Sequence, residues 1–409
     1  MSELLKNDKS RQEKLKEIVK ELHEGSDIKK VQRRFADLIK DVSPQEIAEM
    51  EQGLIAEGIP VEQVQKVCDV HVKVFEKTLG KQKKSKTMPG HPVHTYLKEN
   101  RAAKEITRSL RRLLKKVSKG QKVDEFEKEL SRLKGIEIHY QRKENQLFPY
   151  LEIVNFTGPS KVMWGKHDEI RAQIRDFESA YKSQNWTQFN SKGRELFRAI
   201  GRMIFMEEKI LFPTSLKKLS EEQWAQIRKG EAEIGYAWVQ PGNLWDPSIV
   251  TVRKAAQGPD NQKSGRSDAR DTVIKESFKL DVGKLTGEQI NLMLKNLPMD
   301  ITFVDENDRV RYYSGGKERI FPRSPAIIGR EVKNCHPPKS VHIVEKILQS
   351  FKKKEKTEAE FWLTLKNRFI HIRYFPLYDD KGEYRGVIEM SQDVTGIRGL
   401  KGERQLLDW

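Results

Sequence analysis

Histidine and glutamate recur in this chain at spacings that could hold a metal ion. His91 and His94 stand three apart, hence on one face of a helix. His139 precedes Glu144 by five positions, His167 opens Lys166-His-Asp-Glu-Ile-Arg171, and Glu207 stands beside Glu208. Imidazole and carboxylate together suit iron, manganese or zinc. These groups gather around a phrase that occurs twice. Glu144-Asn-Gln-Leu-Phe-Pro149 returns 64 residues later (144 to 208) as Glu208-Lys-Ile-Leu-Phe-Pro213, each copy closing an amphipathic stretch at a proline. A repeat of that length is too long for a solenoid unit. It suits a helical hairpin duplicated within one bundle, whose core can receive His and Glu from several helices.

The elements that would position these groups follow from punctuation and periodicity. Residues 10 to 79 read as four short helices. The clearest begins at Ser43-Pro44-Gln45-Glu46, a capping box with proline at the first helical position, and ends near Gly58. Pro60 introduces another, with Val64, Val67, Cys68, His71, Val74 and Phe75 on one face. Helical periodicity then runs from about 91 to 228, broken at Gly120, Gly135, Phe156-Thr-Gly-Pro-Ser160 and Ser183-Gln-Asn-Trp186, which predicts four main helices. Ser220 and Gln223 start a further short helix. Residues 248 to 283 lose periodicity. Beyond them the period shifts toward two, with strands at 301–304, 310–313, 361–365, 369–377 and 384–390, and a helix near 341–353. That pattern is a compact α+β domain.

Composition bounds the function classes. The chain has 409 residues, enough for two to four domains, and no apolar run of about 18 residues. Met1-Ser-Glu-Leu-Leu-Lys lacks a signal-peptide pattern and only two cysteines occur, so a cytoplasmic protein without a disulfide scaffold is expected. Net charge is +17, from 77 basic and 60 acidic residues. Arg108, Arg111, Arg112, Lys115, Lys116 and Lys119 form one basic helix face, open to nucleic acid or an acidic partner, though no aromatic stacking platform is interleaved.

Residues 91 to 228 resemble a hemerythrin-like HHE cation-binding domain. The matching phrases are His91-Pro-Val-His94, His139-Tyr-Gln-Arg-Lys-Glu-Asn-Gln-Leu-Phe-Pro149, Lys166-His-Asp-Glu-Ile-Arg171 and Glu207-Glu-Lys-Ile-Leu-Phe-Pro213. The resemblance implies a four-helix bundle with a non-haem di-iron centre. This chain departs from the implied ligand set. Where the second helix of the family carries a ligand carboxylate it has Lys143, and where the fourth carries histidine it has Met203. Glu99-Asn100 replaces Glu-His in the first helix. At about 100° per residue, Lys143 faces with His139 and Met203 with Glu207, while Glu144 and Glu208 point partly away as acceptors behind the site. Three arrangements fit these residues. His139, His167, Glu207 and one of His91 or His94 hold a single iron-like ion, with Lys143 in place of the second cation. Alternatively the core is ion-paired and metal-free, or it holds haem or an unusual dinuclear site.

The flanks carry resemblances of their own. The first 80 residues, with Gly53-Leu-Ile-Ala-Glu-Gly-Ile-Pro60, resemble the domain of unknown function that precedes HHE domains; Cys68 and His71 there read as core residues. Asp305-Glu-Asn-Asp-Arg-Val-Arg-Tyr-Tyr313 and Asp380-Lys-Gly-Glu-Tyr-Arg-Gly386 with Asp393-Val-Thr395 resemble a PAS sensor domain. In it Cys335 or His336 could ligate haem, or the Pro-Pro loop could be structural. The expected architecture is multidomain: an all-α domain at 1–80, a hemerythrin-like four-helix bundle at 88–235, a linker at 236–284, an α+β PAS domain with a five-stranded antiparallel sheet at 285–397, and a tail at 398–409. The implied function is a metal-, gas- or redox-responsive sensor whose output is a protein partner or a PAS-mediated homodimer, rather than catalysis. Iron-centre repair and a metal-free interaction scaffold are the alternatives.

Overall fold

The computed structural model describes residues 43–61, 64, 85, 87–121, 124–248, 277–315 and 319–403, and nine positions between 13 and 33. Two compact units divide it, one covering the helical part to about residue 256 and one covering the C-terminal sheet domain.

In the helical unit α1 spans Pro44–Ala56. Its capping box forms as expected, with Ser43 Oγ accepting the Glu46 N–H and the Glu46 carboxylate accepting the Ser43 N–H. Ile47, Ala48, Met50 and Leu54 bury into the same core as the bundle. The helix expected after Pro60, with Cys68 and His71, and the basic stretch 81–84 lie outside the described residues.

The bundle contains α2 (Pro92–Val117), α3 (Asp124–Leu133), α4 (Ile136–Arg142), α5 (Phe148–Ile153), α6 (Gly158–Lys182), α7 (Trp186–Met206), α8 (Phe212–Lys218) and α9 (Glu221–Ile234). Tyr96, Ala103, Ile106, Leu110, Leu113 and Val117 recur at helical spacing on α2 and are all buried. Two joints depart from the α-helix. Lys143–Leu147 between α4 and α5, and Glu207–Leu211 between α7 and α8, are single π-helical turns. Each lies just before the repeated proline. Pro149 and Pro213 have no N–H to give the carbonyls of Asn145 and Lys209, and their rings crowd those carbonyls. Widening the turn to i→i+5 bonding relieves the crowding. The repeated phrase therefore specifies a repeated bulge.

After α9 the chain turns back along the bundle. Gly235 takes φ +93°, the Trp238 indole N–H donates to the Arg132 carbonyl (2.7 Å), and the Trp245 N–H donates to the Pro89 carbonyl (2.8 Å). Gly90, at φ +106°, is required there, because a Cβ would stand 2.5 Å from the Trp245 carbonyl oxygen. The first part of the expected linker, 236–248, thus packs on the bundle.

The sheet domain opens with β1 (Ser277–Lys279) and β2 (Lys284–Thr286), a hairpin followed by α10 (Gly287–Asn296). Then come β3 (Asp300–Asp305), β4 (Val310–Tyr313), α11 (Pro338–Lys352), β5 (Ala359–Leu365), β6 (Arg368–Tyr378) and β7 (Tyr384–Asp393). The five long strands form one antiparallel sheet in the order β4-β3-β7-β6-β5. Asp308, at φ +59°, makes the β3–β4 turn, and Gly382 that before β7. Val344, Leu348 and Phe351 of α11 join Val304, Ile370, Ile372 and Val387 of the sheet in the core. The hairpin lies inside the expected linker 236–284, whereas α10 opens the expected sheet domain with a capping box between Thr286 and Gln289 that the strand pattern left unread. No helix among the described residues is long and apolar enough to cross a membrane.

Candidate functional site in the bundle core

Four helical tracts bring an ionised cluster into the middle of the bundle. His139 in the middle of α4 faces inward, with Nδ1 2.7 Å from Glu99 Oε2 of α2 and Nε2 3.1 Å from Glu207 Oε2 of the second π turn. Both contacts are hydrogen bonds only when both ring nitrogens carry protons. Lys143, at the head of the first π turn, directs Nζ to His167 Nε2 of α6 (2.8 Å) and to Glu207 Oε1. The same ammonium sits 4.6 Å from the Tyr140 ring centroid. The π turn swings Glu144 inward. Its carboxylate accepts from His167 Nδ1 (2.7 Å) and is clamped through both oxygens by Arg171 (2.9 Å each). With Nδ1 donating to Glu144, the His167 Nε2 lone pair is left to accept from Lys143.

This corrects one expectation from helical spacing. A uniform 100° per residue turns Glu144 partly away, whereas the π turn leaves it buried at 3% exposure. Glu208, also buried, pairs instead with Lys104 (2.7 Å). Met203 is buried on the same helical face as Glu207. His91 and His94 are not brought to the cluster. The His91 side chain caps α2 by accepting the Val93 N–H, and its ring packs 4.8 Å from Trp224 and 4.9 Å from Trp245. His94 is half-buried on the outer side of the first turn, beside Lys98 and Arg101.

Arg142 and Glu231 were not singled out from the sequence. Arg142 is fully buried, donates to Glu99 (2.7 Å), lies 3.0 Å from Glu231 and stacks over Tyr96 (4.2 Å). The distance to Glu231 makes an ion pair, but the angle leaves both atoms without a hydrogen bond. Glu99 also accepts the Ala237 N–H (2.8 Å), tying the returning segment to the core. Arg142, at i+3 from His139, shares its face, a spacing that could have found it.

Protonation follows burial and neighbours. Burial alone would raise Glu207, but Lys143 and His139 overcome it and hold the carboxyl well below the usual range. Burial lowers Lys143, with Glu207 opposing, and burial with Lys143 and Arg171 keeps His167 well below an ordinary histidine. Burial raises Glu231 to about 7 despite Arg142 and Arg228. Its folded value lies above the 4.5 of an unconstrained carboxyl, so its stabilising effect is present at acid pH and is lost as pH rises through about 7. Bundle stability is expected to fall by about 1 kcal/mol between pH 6 and 8 on this account, and Glu231→Gln should flatten that slope in urea titrations at the two pH values.

The donors do not fit a dinuclear metal centre. His167 Nε2 and a Glu207 oxygen, the atoms that would ligate, are both occupied by the Lys143 ammonium. Among the described residues no group of three His, Cys, Asp or Glu side chains converges to hold an ion. In the sheet domain the Cys335 thiol donates back to the Glu331 carbonyl (3.7 Å) and its side chain packs against the core, while burial with Arg323 and Arg330 lowers His336 to about 4.

A bundle with this helix order, duplicated joint and inward His–Glu set is of the hemerythrin HHE class, and residues 91–215 match the hemerythrin HHE cation binding domain. The chain as a whole joins three parts, since residues 15–81 match a family of unknown function (DUF438) and 290–395 match a PAS domain. Its domains are those of a sensor or signalling protein carrying a cation-binding module. Among solved structures, the C-terminal domain of a Streptococcus mutans protein is 31% identical over 31% of this chain and 98% of its own, with TM-score 0.30. The PAS domain of a Colwellia psychrerythraea protein is 18% identical over 27% of this chain and 97% of its own (TM-score 0.22). That of Bordetella pertussis BvgS is 18% identical over 26% and 85% (TM-score 0.21). No curated protein matches the chain.

Proposed function

We propose that this is a signalling protein whose HHE bundle uses the Lys143 ammonium where relatives of its class use a metal ion. One observation carries the reading: Lys143 Nζ bonds His167 Nε2 and Glu207 Oε1, two donors suited to iron. A lysine delivers one positive charge and directional N–H donors without needing metal supply. The bundle then serves as an ion-paired module. The single-iron site on His139, His167 and Glu207 would require Lys143 to leave. Iron-centre repair, which needs a labile ion, is disfavoured for the same reason. Protein purified anaerobically with iron supplementation should contain substoichiometric iron by elemental analysis. Two irons per chain would overturn the proposal.

Output through self-association of the PAS domain has support of its own. Helix α10 buries none of its residues; Leu292 and Met293 are exposed on it, as are Leu297 just after it and Phe278 and Val282 of the adjoining hairpin. Apolar side chains left exposed on one helix and its adjoining hairpin fit a second copy of the domain. Light scattering should give a dimer that Leu292→Glu with Met293→Glu converts to monomer; an unchanged mass would exclude this face.

A further inference from the structure

The C-terminal end of the basic face read from the sequence becomes, in the fold, one wall of a groove, while Arg108, Arg111 and Arg112 lie outside it. The last turn of α2 and the residues after it (Lys115, Lys116, Lys119) face Arg194 and Arg198 of α7 across a cavity of about 860 Å3. Thr187, Asn190, Ser191 and Gln121 add neutral polar groups, and Glu195 is the one carboxylate among the lining residues. Ser191 donates to Glu195 (3.0 Å).

Some cations along the two helices have partners, Lys104 with Glu208, Arg112 with Glu125 and Lys192 with Asp176, while Lys98, Arg101 and Arg108 of α2 have no ion pair among the described residues. None of the five groove cations has an ion pair among the described residues. Lys115 and Lys116 at a helix C-terminus would favour the macrodipole in any case. Arg194 and Arg198 have no such role. They stand four apart well inside α7, where like charges disfavour the helix. With Glu195 the one carboxylate against five cations, the groove carries an excess of positive charge.

We propose that this groove is a binding site for a compact polyphosphate group, such as the triphosphate of a nucleotide. The volume is in the range of small-ligand sites, roughly 300–1,000 Å3. A nucleic-acid duplex fits less well, because five cations gather around one concave groove of small-ligand size. Arg112 is committed to Glu125, and Arg111 packs over the Phe197 ring at 5.9 Å. No aromatic side chain lines the groove to stack a base, so recognition falls on the phosphates.

Calorimetric titration of the full chain with sodium tripolyphosphate, with ATP and with a short DNA duplex tests this. Tripolyphosphate and ATP should bind saturably at one site, more weakly as salt rises. Lys119→Glu with Arg198→Glu should weaken both by about tenfold or more, whereas Arg108→Glu with Arg175→Glu, an equal change of net charge outside the groove, should leave them unchanged. Circular dichroism of each variant separates lost binding from lost folding. ATP bound without tripolyphosphate would place recognition on the base and overturn the polyphosphate assignment. So would absence of saturable binding, equal losses in the two double variants, or binding by the duplex alone.

Discussion

Lys143→Met is expected to destabilise the bundle by about 3–5 kcal/mol, because it leaves Glu207 charged and buried with its main counter-ion gone. Both partners are 0% exposed, so solvent screening does not soften the loss. His139 still contacts Glu207, but it is shared with Glu99. Adding Glu207→Gln to Lys143→Met should recover most of the loss, since replacing both members of a buried pair is often close to neutral. Five of the seven tryptophans lie in the helical unit, so urea unfolding followed by tryptophan fluorescence reports chiefly on this part. A loss under about 1 kcal/mol for the single variant would mean that Lys143 is not the counter-ion of this core.

Metal content should respond more sharply still. Lys143→Glu together with Met203→His removes the ammonium and supplies a carboxylate and an imidazole at positions one turn from His139 and Glu207. With His167 already inward, the core then holds donors from three helical tracts, the arrangement that carboxylate-bridged bundles use. Iron measured after anaerobic loading should rise from substoichiometric to about one or two ions per chain. Lys143→Glu alone should give less, because Met203 still occupies an imidazole position. If the double variant takes up no iron, Arg142 and Arg171 rather than Lys143 exclude the cation, and the central role given to Lys143 fails.

Much of this core was legible from residue types. His139, His167 and Glu207 were selected by spacing and order, and they do lie around one point. Lys143 and Met203 were recognised as departures because they stand four residues from His139 and Glu207. His91 and His94 show the limit of that method. Their spacing is sound for a helix face, but they sit at the very start of α2, where one becomes a cap between two tryptophans. Nothing in a three-residue spacing says which end of a helix reaches the bundle centre. Glu99, two turns further along, does reach it, and its 0% exposure follows from depth rather than from any motif.

The sequence by itself determined the bundle, its duplication, the sheet domain and which donors were exchanged for other side chains. Those properties depend on periodicity, caps and residue identity, which are local. Tertiary structure decided where each charge finds its partner. The π turn ahead of Pro149 rotates Glu144 into the core. Arg142 and Arg171 arrive to neutralise Glu99 and Glu144, and Lys143 reaches His167 and Glu207 across the bundle. A buried charge is tolerated only beside a specific counter-charge, and those partners lie far apart in the chain, 68 residues for His139 with Glu207 and 89 (142 to 231) for Arg142 with Glu231. Packing alone brings them together.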